Sequence, residues 1–132
     1  MLKKGLIAGV AIYIVGFIFN FGGQRVFPQI GAEYKAGVFR PFSDPLMMIY
    51  FLYPFILGFV LFYLWNLLEK QLSGKPTDKA LRFAKIYFAV ATIPGMFISY
   101  TSIQLSLTMV IVWTITGFLQ AFVAGLVFAK VK

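Results

Sequence analysis

The chain has 132 residues, 61% of them hydrophobic and 19% aromatic, with only 12% charged and a net charge of +8. Soluble domains carry about 25% charged residues, so a water-soluble fold of this size, which would leave too much apolar surface in water, is excluded. Histidine and cysteine are both absent, which removes disulfides, thiolate chemistry, haem ligation by these side chains and the usual zinc and copper ligand sets.

Residues 5–24, 45–68 and 86–129 contain no Asp, Glu, Lys or Arg. A hydrocarbon core of about 30 Å takes about 20 apolar residues per helix, so these runs have room for one, one and two spans. The first, about 5–21, opens after Lys3 and Lys4 and closes at Gly22 and Gly23. The second, 45–68, opens at Ser43 and Asp44 and closes at Glu69 and Lys70. The third is expected at 85–99 and the fourth at 107–129, joined by the tight turn SYTSIQLS. In lipid every backbone group needs an internal partner, and the alternation of a barrel strand is missing, so the runs must be helices. The expected fold is all-α, one integral membrane four-helix bundle over residues 1–132. The first run is longer than the 7–15 residues of a signal-peptide core. Bulky Phe19 and Phe21 flank its candidate cleavage positions, so it is read as a retained span.

Charge orients the bundle. Nine basic residues (Lys3, Lys4, Lys70, Lys75, Lys79, Arg82, Lys85, Lys130, Lys132) fall on one side and three (Arg25, Lys35, Arg40) on the other. Less Glu69 and Asp78 the first side carries +7, and less Glu33 and Asp44 the second carries +1, together the +8 of the chain. By the positive-inside rule both termini and the middle loop are cytoplasmic, in a cell membrane. The topology accounts for the basic balance without nucleic acid, and attraction of the inner loop to anionic lipid headgroups is its expected use.

Small residues mark the faces where helices approach each other, since lipid offers no hydrophobic drive for association. In the first span Gly5, Gly9, Gly16 and Asn20 share a stripe. In the third Ala84, Ala91, Gly95 and Ser99 do, and the fourth carries Gly117, Ala121 and Gly125. Pro54 predicts a kink near Tyr50, with Gly58 leaving room for a neighbour, and Pro94 followed by Gly95 is the counterpart in the third span. GFIFNF at 16–21 echoes GMFISY at 95–100, a faint sign of duplication that the second and fourth spans do not share. The long outer connection, 22–44, has apolar spacing over 29–39 suited to a short interfacial helix covering the outer mouth.

Few side chains offer chemistry. Asp44 suits a helix cap before Pro45, and Arg40 pairs with it or with lipid phosphate. The sharper reading groups Arg25, Glu33, Arg40 and Asp44 as an outer binding site. Asn20 and Gln120 are the strongest polar residues within the spans, roughly 24 Å above Lys4 and 15 Å above Lys130. Either they make interhelical hydrogen bonds or, with Thr92, Thr116 and tyrosines, they line a path. No carboxylate or base lies within a span, which argues against proton coupling, ion pumping and voltage sensing. Ser, Thr and Tyr without a nearby base make no activated nucleophile. Glycine-rich phosphate loops, paired carboxylates and dinucleotide fingerprints are absent, so neither an enzyme nor a cofactor is expected. In length and span number the chain resembles the small multidrug transporters in architecture alone, because residues 5–24 lack the first-span carboxylate their coupling needs.

The function expected from these residues is that of a non-enzymatic subunit or scaffold, a homo- or hetero-oligomer held by its packed helix faces. The alternatives are a channel or facilitator for a small neutral or lipophilic solute, and a lipid-binding membrane protein.

Overall fold

The computed structural model describes residues 2–132, which form helices and connections without a strand. Four helical rods are long and apolar enough to cross a membrane. The first is α1 (Leu2–Val26); after it α2 (Pro28–Tyr34) stands alone. The second rod is α3 (Pro45–Ile49), a 3₁₀ turn (Tyr50–Leu52), α4 (Tyr53–Leu68) and a closing 3₁₀ turn (Glu69–Gln71). The third joins α5 (Pro76–Tyr87) through a π turn (Phe88–Thr92) to α6 (Ile93–Ser102), and α7 (Leu107–Lys130) is the fourth. Both termini and the 72–75 connection share one end of the bundle, the terminal end; residues 27–44 and 103–106 share the other, the loop end.

Two expected boundaries are corrected. The first helix does not close at Gly22 and Gly23 but runs to Val26. Two glycines weaken a helix in water, but in lipid the helix alone keeps the backbone paired. Gln24 Nε2 also donates to Asn20 Oδ1 across the same turn at 3.3 Å. The stop comes at Phe27, whose non-helical conformation (φ −123, ψ 85) fits the exclusion of the helical region by the following Pro28. The third helix begins at Pro76, nine residues before Lys85. Gly74 turns the chain at φ +105, Pro76 occupies the first turn, and Asp78 Oδ2 accepts the Lys75 N–H at 3.2 Å. Ala80, Phe83 and Ala84 then lie buried along one face while Arg82 and Lys85 stay exposed. The basic inner loop foreseen from the sequence is therefore largely the polar face of this amphipathic helix.

The rods are packed tightly only toward the terminal end. Here α1 crosses α4 with almost no space between the backbones: a methyl group on Gly9 would meet the Phe55 ring at 2.6 Å, and one on Gly5 would overlap Phe59. On the other side α7 crosses α5, where a methyl on Gly125 would lie 3.0 Å from the Ala80 Cα. The space at the centre is filled by Leu61, Trp65, Phe83 and Phe128, all at most 2% exposed. Their rings meet edge to face or tilted, Trp65 to Phe83 at 5.3 Å and Trp65 to Phe128 at 5.7 Å. At the rim, Lys4 Nζ donates to the Phe128 carbonyl at 3.3 Å, a cation at a helix C-terminus.

Toward the loop end the rods part. Pro54 has no N–H for the ladder and its ring crowds the carbonyl four residues back; the second rod answers with the 3₁₀ turn at Tyr50–Leu52, beyond which α3 leans away and buries none of its residues. Pro94 acts alike on the third rod, where the ladder widens into the π turn before Ile93. α6 stays beside α7, but α3 and α6 share no packed face. The bundle is closed at one end and open between its second and third rods at the other.

Candidate functional site

The parting of the rods leaves a cavity of about 1630 Å³ in the loop half of the bundle. Its floor is formed by Ile12, Gly16, Tyr87, Thr92, Gly117 and Gln120, and its roof by residues of the 30–42 connection. On α1 the lining runs from Ile12 to Gln24, a depth of about 18 Å at 1.5 Å per residue. Half of a ~30 Å hydrocarbon core is about 15 Å, so the depth of the cavity is comparable with the thickness of one leaflet. Below the floor, the aromatic cluster of Trp65, Phe83 and Phe128 closes the way to the terminal end.

All four polar residues singled out in the spans lie on this lining: Asn20, Thr92, Thr116 and Gln120. Their side chains are largely committed to local bonds. Gln120 Nε2 donates to the Ile12 carbonyl of α1 at 3.3 Å, and a methyl on Gly16 would crowd that same nitrogen at 3.0 Å. Thr116 Oγ1 donates back to the Val112 carbonyl at 2.7 Å, Asn20 accepts from Gln24, and Thr92 is buried against Gly117, where a methyl would meet its Cγ2 at 3.2 Å. What remains toward the cavity is mainly aromatic and aliphatic, with Tyr50 and Tyr53 stacked at 6.2 Å and 9° on the leaning rod.

The small-residue faces divide into two groups. Gly5, Gly9, Gly16, Gly117, Ala121 and Gly125 face other helices of the same chain, Ala121 with no exposed surface. Ala91 and Gly95 depart from the packed face expected for them. Ala91 is exposed and lines the cavity, and a methyl on Gly95 would meet nothing within 4 Å. The packed stripe of the third rod lies about two to four turns earlier, at Ala80, Phe83 and Ala84, because the rod diverges past its π turn. Of these only Ala84 belongs to the expected stripe, and all three precede the span expected from hydropathy.

Arg25, Glu33, Arg40 and Asp44 do not form one outer site. Asp44 caps α3, accepting the Leu46 N–H at 2.9 Å, and pairs with Arg40 at 2.9 Å. The Leu46 N–H and the Arg40 guanidinium hold its carboxyl below the usual aspartate range. Glu33 is spent elsewhere: its Oε2 accepts the Ser106 N–H at the start of α7, at 3.1 Å. Arg25 is exposed at the end of α1 and does not line the cavity. Only Arg40 of the four does, together with Lys35.

The roof is held by contacts between residues far apart in sequence. Ile30 is 2% exposed in a cluster with Leu105, Met109 and Val110. Trp113 Nε1 donates to Tyr34 Oη at 3.1 Å, and Phe39 completes a ring trio with them, at 5.1 Å from Tyr34 and 5.9 Å from Trp113. Burial raises the Tyr34 phenol above its ordinary pKa. Thus α2, expected to lie in the headgroup layer up to residue 39, ends at Tyr34 and is docked inward on α7; Gly37, at φ +87, turns the chain that follows. Nothing in the sequence pattern pointed to Tyr34 and Trp113 as partners, since 79 positions separate them.

Among the described residues no three acidic side chains gather as a metal site would require. No family model, no curated protein and no solved structure matches the chain. The class of protein is given by its fold: all-helical, with four helices suited to crossing a membrane and a deep cavity in one half.

Proposed function

We propose that the protein is a non-catalytic membrane protein that holds a lipophilic molecule within one leaflet, with both termini on the cytoplasmic side. The observation that carries this reading is the cavity of about 1630 Å³, larger than the roughly 300–1,000 Å³ of an ordinary small-molecule site. It is about one leaflet deep, mostly apolar, and open beside α3 while closed toward the terminal end. A cavity with one closed end supports holding or handing over a lipophilic molecule better than it supports a through-channel. Of the polar residues that would have lined a water path, Thr116 and Gln120 donate to backbone carbonyls and Asn20 accepts from Gln24.

The chain carries its own reporter. Of its two tryptophans, Trp65 is sealed in the closed end and Trp113 lines the cavity, so Trp65→Phe leaves Trp113 alone. A brominated uncharged alkyl glycoside, added to this variant in dodecyl maltoside micelles, is expected to quench the fluorescence saturably. Thr116→Phe, which adds a ring to the lining beside Trp113, should weaken the saturable part. Quenching that is absent, or that is unchanged by Thr116→Phe, overturns the reading.

The second reading is an assembly subunit, and the unopposed Gly95 favours it: a neighbouring helix could close on α6 there. Gly95→Leu should then lower the mass of the solubilised species, and an unchanged mass counts against assembly through that face.

A further inference from the structure

The cavity is apolar over most of its depth, yet its mouth is charged with one sign. Among the described residues Lys35 and Arg40, both on the roof segment, are its only charged lining residues, and no Asp or Glu lines it. The two acids nearest in sequence are turned to other tasks. Glu33 receives the Ser106 N–H, and Asp44 receives the Leu46 N–H and shares Arg40. Among the described residues Lys35 makes no ion pair, and the Arg40 guanidinium, 59% exposed, keeps donors free for a further acceptor. Three features therefore coincide: an apolar volume about one leaflet deep, a second rod whose α3 buries none of its residues and shares no packed face with α6, and a cationic pair on the roof segment.

Resting on the lipophilic-ligand reading above, we infer that the occupant is a membrane lipid with an anionic headgroup. Its acyl chains fill the cavity between Tyr53, Thr92 and Gln120, and its phosphate sits between Lys35 and Arg40. A neutral lipid would satisfy the apolar part equally but would leave the rim unanswered. An anionic headgroup gains from each basic residue near the surface, and Arg presents a fork suited to phosphate oxygens. The Arg40–Asp44 pair fixes the guanidinium at the mouth and partly offsets its charge, so Lys35 carries the larger share of the preference.

The test uses the full chain as Trp65→Phe in dodecyl maltoside micelles, with phosphatidylglycerol or phosphatidylcholine carrying the same dibrominated acyl chains. Phosphatidylglycerol is expected to reach half-quenching of Trp113 at a concentration at least about fivefold lower, the effect of one basic residue near an anionic surface, and raised salt should narrow the gap. The double variant Lys35→Gln with Arg40→Gln should bring the two lipids together by weakening phosphatidylglycerol the more, while saturable quenching by a dibrominated diacylglycerol, which has no phosphate for the rim, persists and shows that the cavity is intact. Lys35→Arg should keep the preference. Equal quenching by both lipids in the parent chain, or a preference that persists in the double variant, overturns this inference and leaves the lipid cavity standing. Quenching by neither lipid overturns both.

Discussion

Gly58 of α4 lies so close to α1 that a methyl group placed on it would come within 2.7 Å of the carbonyl oxygen of Gly5. It would also fall 2.8 Å from the Gly9 nitrogen. Both obstacles are backbone, which cannot rotate aside. Gly58→Ala must therefore push the two rods apart, and overpacking of this kind costs about 1–3 kcal/mol. Gly95→Ala, with open space around it, should stay within about 0.5 kcal/mol of the parent. Thermal unfolding of the two variants in the same detergent makes the comparison, and equal midpoints would refute the close crossing.

The roof of the cavity hangs on two bonds to α7, Glu33 to the Ser106 N–H and Trp113 to Tyr34. Trp113→Phe keeps a ring in place and removes the donor, a loss of about 1 kcal/mol for an ordinary hydrogen bond. Amide exchange over Pro28–Tyr34 should quicken by about fivefold, while α4 and α5 exchange as before. Adding Glu33→Ala should quicken it further and expose the Ser106 amide. Unchanged exchange in α2 would mean that the apolar seat of Ile30 alone holds the roof.

Asp44 makes the start of α3 sensitive to acid in a defined direction. Its folded pKa is lowered by the Leu46 N–H and by Arg40. The contribution is thus complete above the ordinary aspartate value and is lost as the pH falls through the lowered one. Protection of the Leu46 and Met47 amides should accordingly persist through neutral and mildly acidic solution and decline only below the usual carboxylate range. Asp44→Asn, which still caps the helix, should remove that decline, and Asp44→Ala should fray the turn at every pH.

The aromatic closure of the terminal end predicts a different response. Phe128 touches Phe62, Trp65 and Phe83 through ring contacts of 5.3–6.2 Å. Phe128→Ala removes partners from all three and should cost about 3–5 kcal/mol if the site cannot collapse, seen as an early midpoint in denaturant. Phe97→Ala, on an outward-facing side chain 71% exposed, should leave the midpoint nearly unmoved.

What could be read from the sequence divides along physical lines. Three charge-free runs, the last with room for two spans, announce four apolar helices because lipid permits nothing else. Ser106 and the Asp44–Pro45 pair mark their helix starts because capping is chemistry between immediate neighbours. Pro76 was overlooked for the converse reason: α5 begins outside the apolar run, and hydropathy detects only the part of a helix that suits lipid. Small residues reveal that a face can pack, but not against what. Gly58 and the Gly5–Gly9 step were visible separately, and their meeting is a tertiary fact. Ala91 and Gly95 look the same in sequence, yet Ala91 is exposed on the cavity lining and Gly95 has open space around it, because the rod diverges past its π turn. Asn20 and Gln120 stood at different depths, which hid that one tall cavity reaches both. Its volume is the joint result of two proline-induced bends and a folded-back roof, none of which a local pattern contains.

The central claim is that a lipid-filled cavity occupies one half of a bundle that is closed in the other. Its most direct test is a crystal structure of the protein grown from a lipidic phase. The account predicts α3 standing clear of α6, with elongated density running from Gln120 and Thr92 up to Lys35 and Arg40. Residues 45–52 packed against 93–102, with no space between Tyr53 and Thr92, would contradict it.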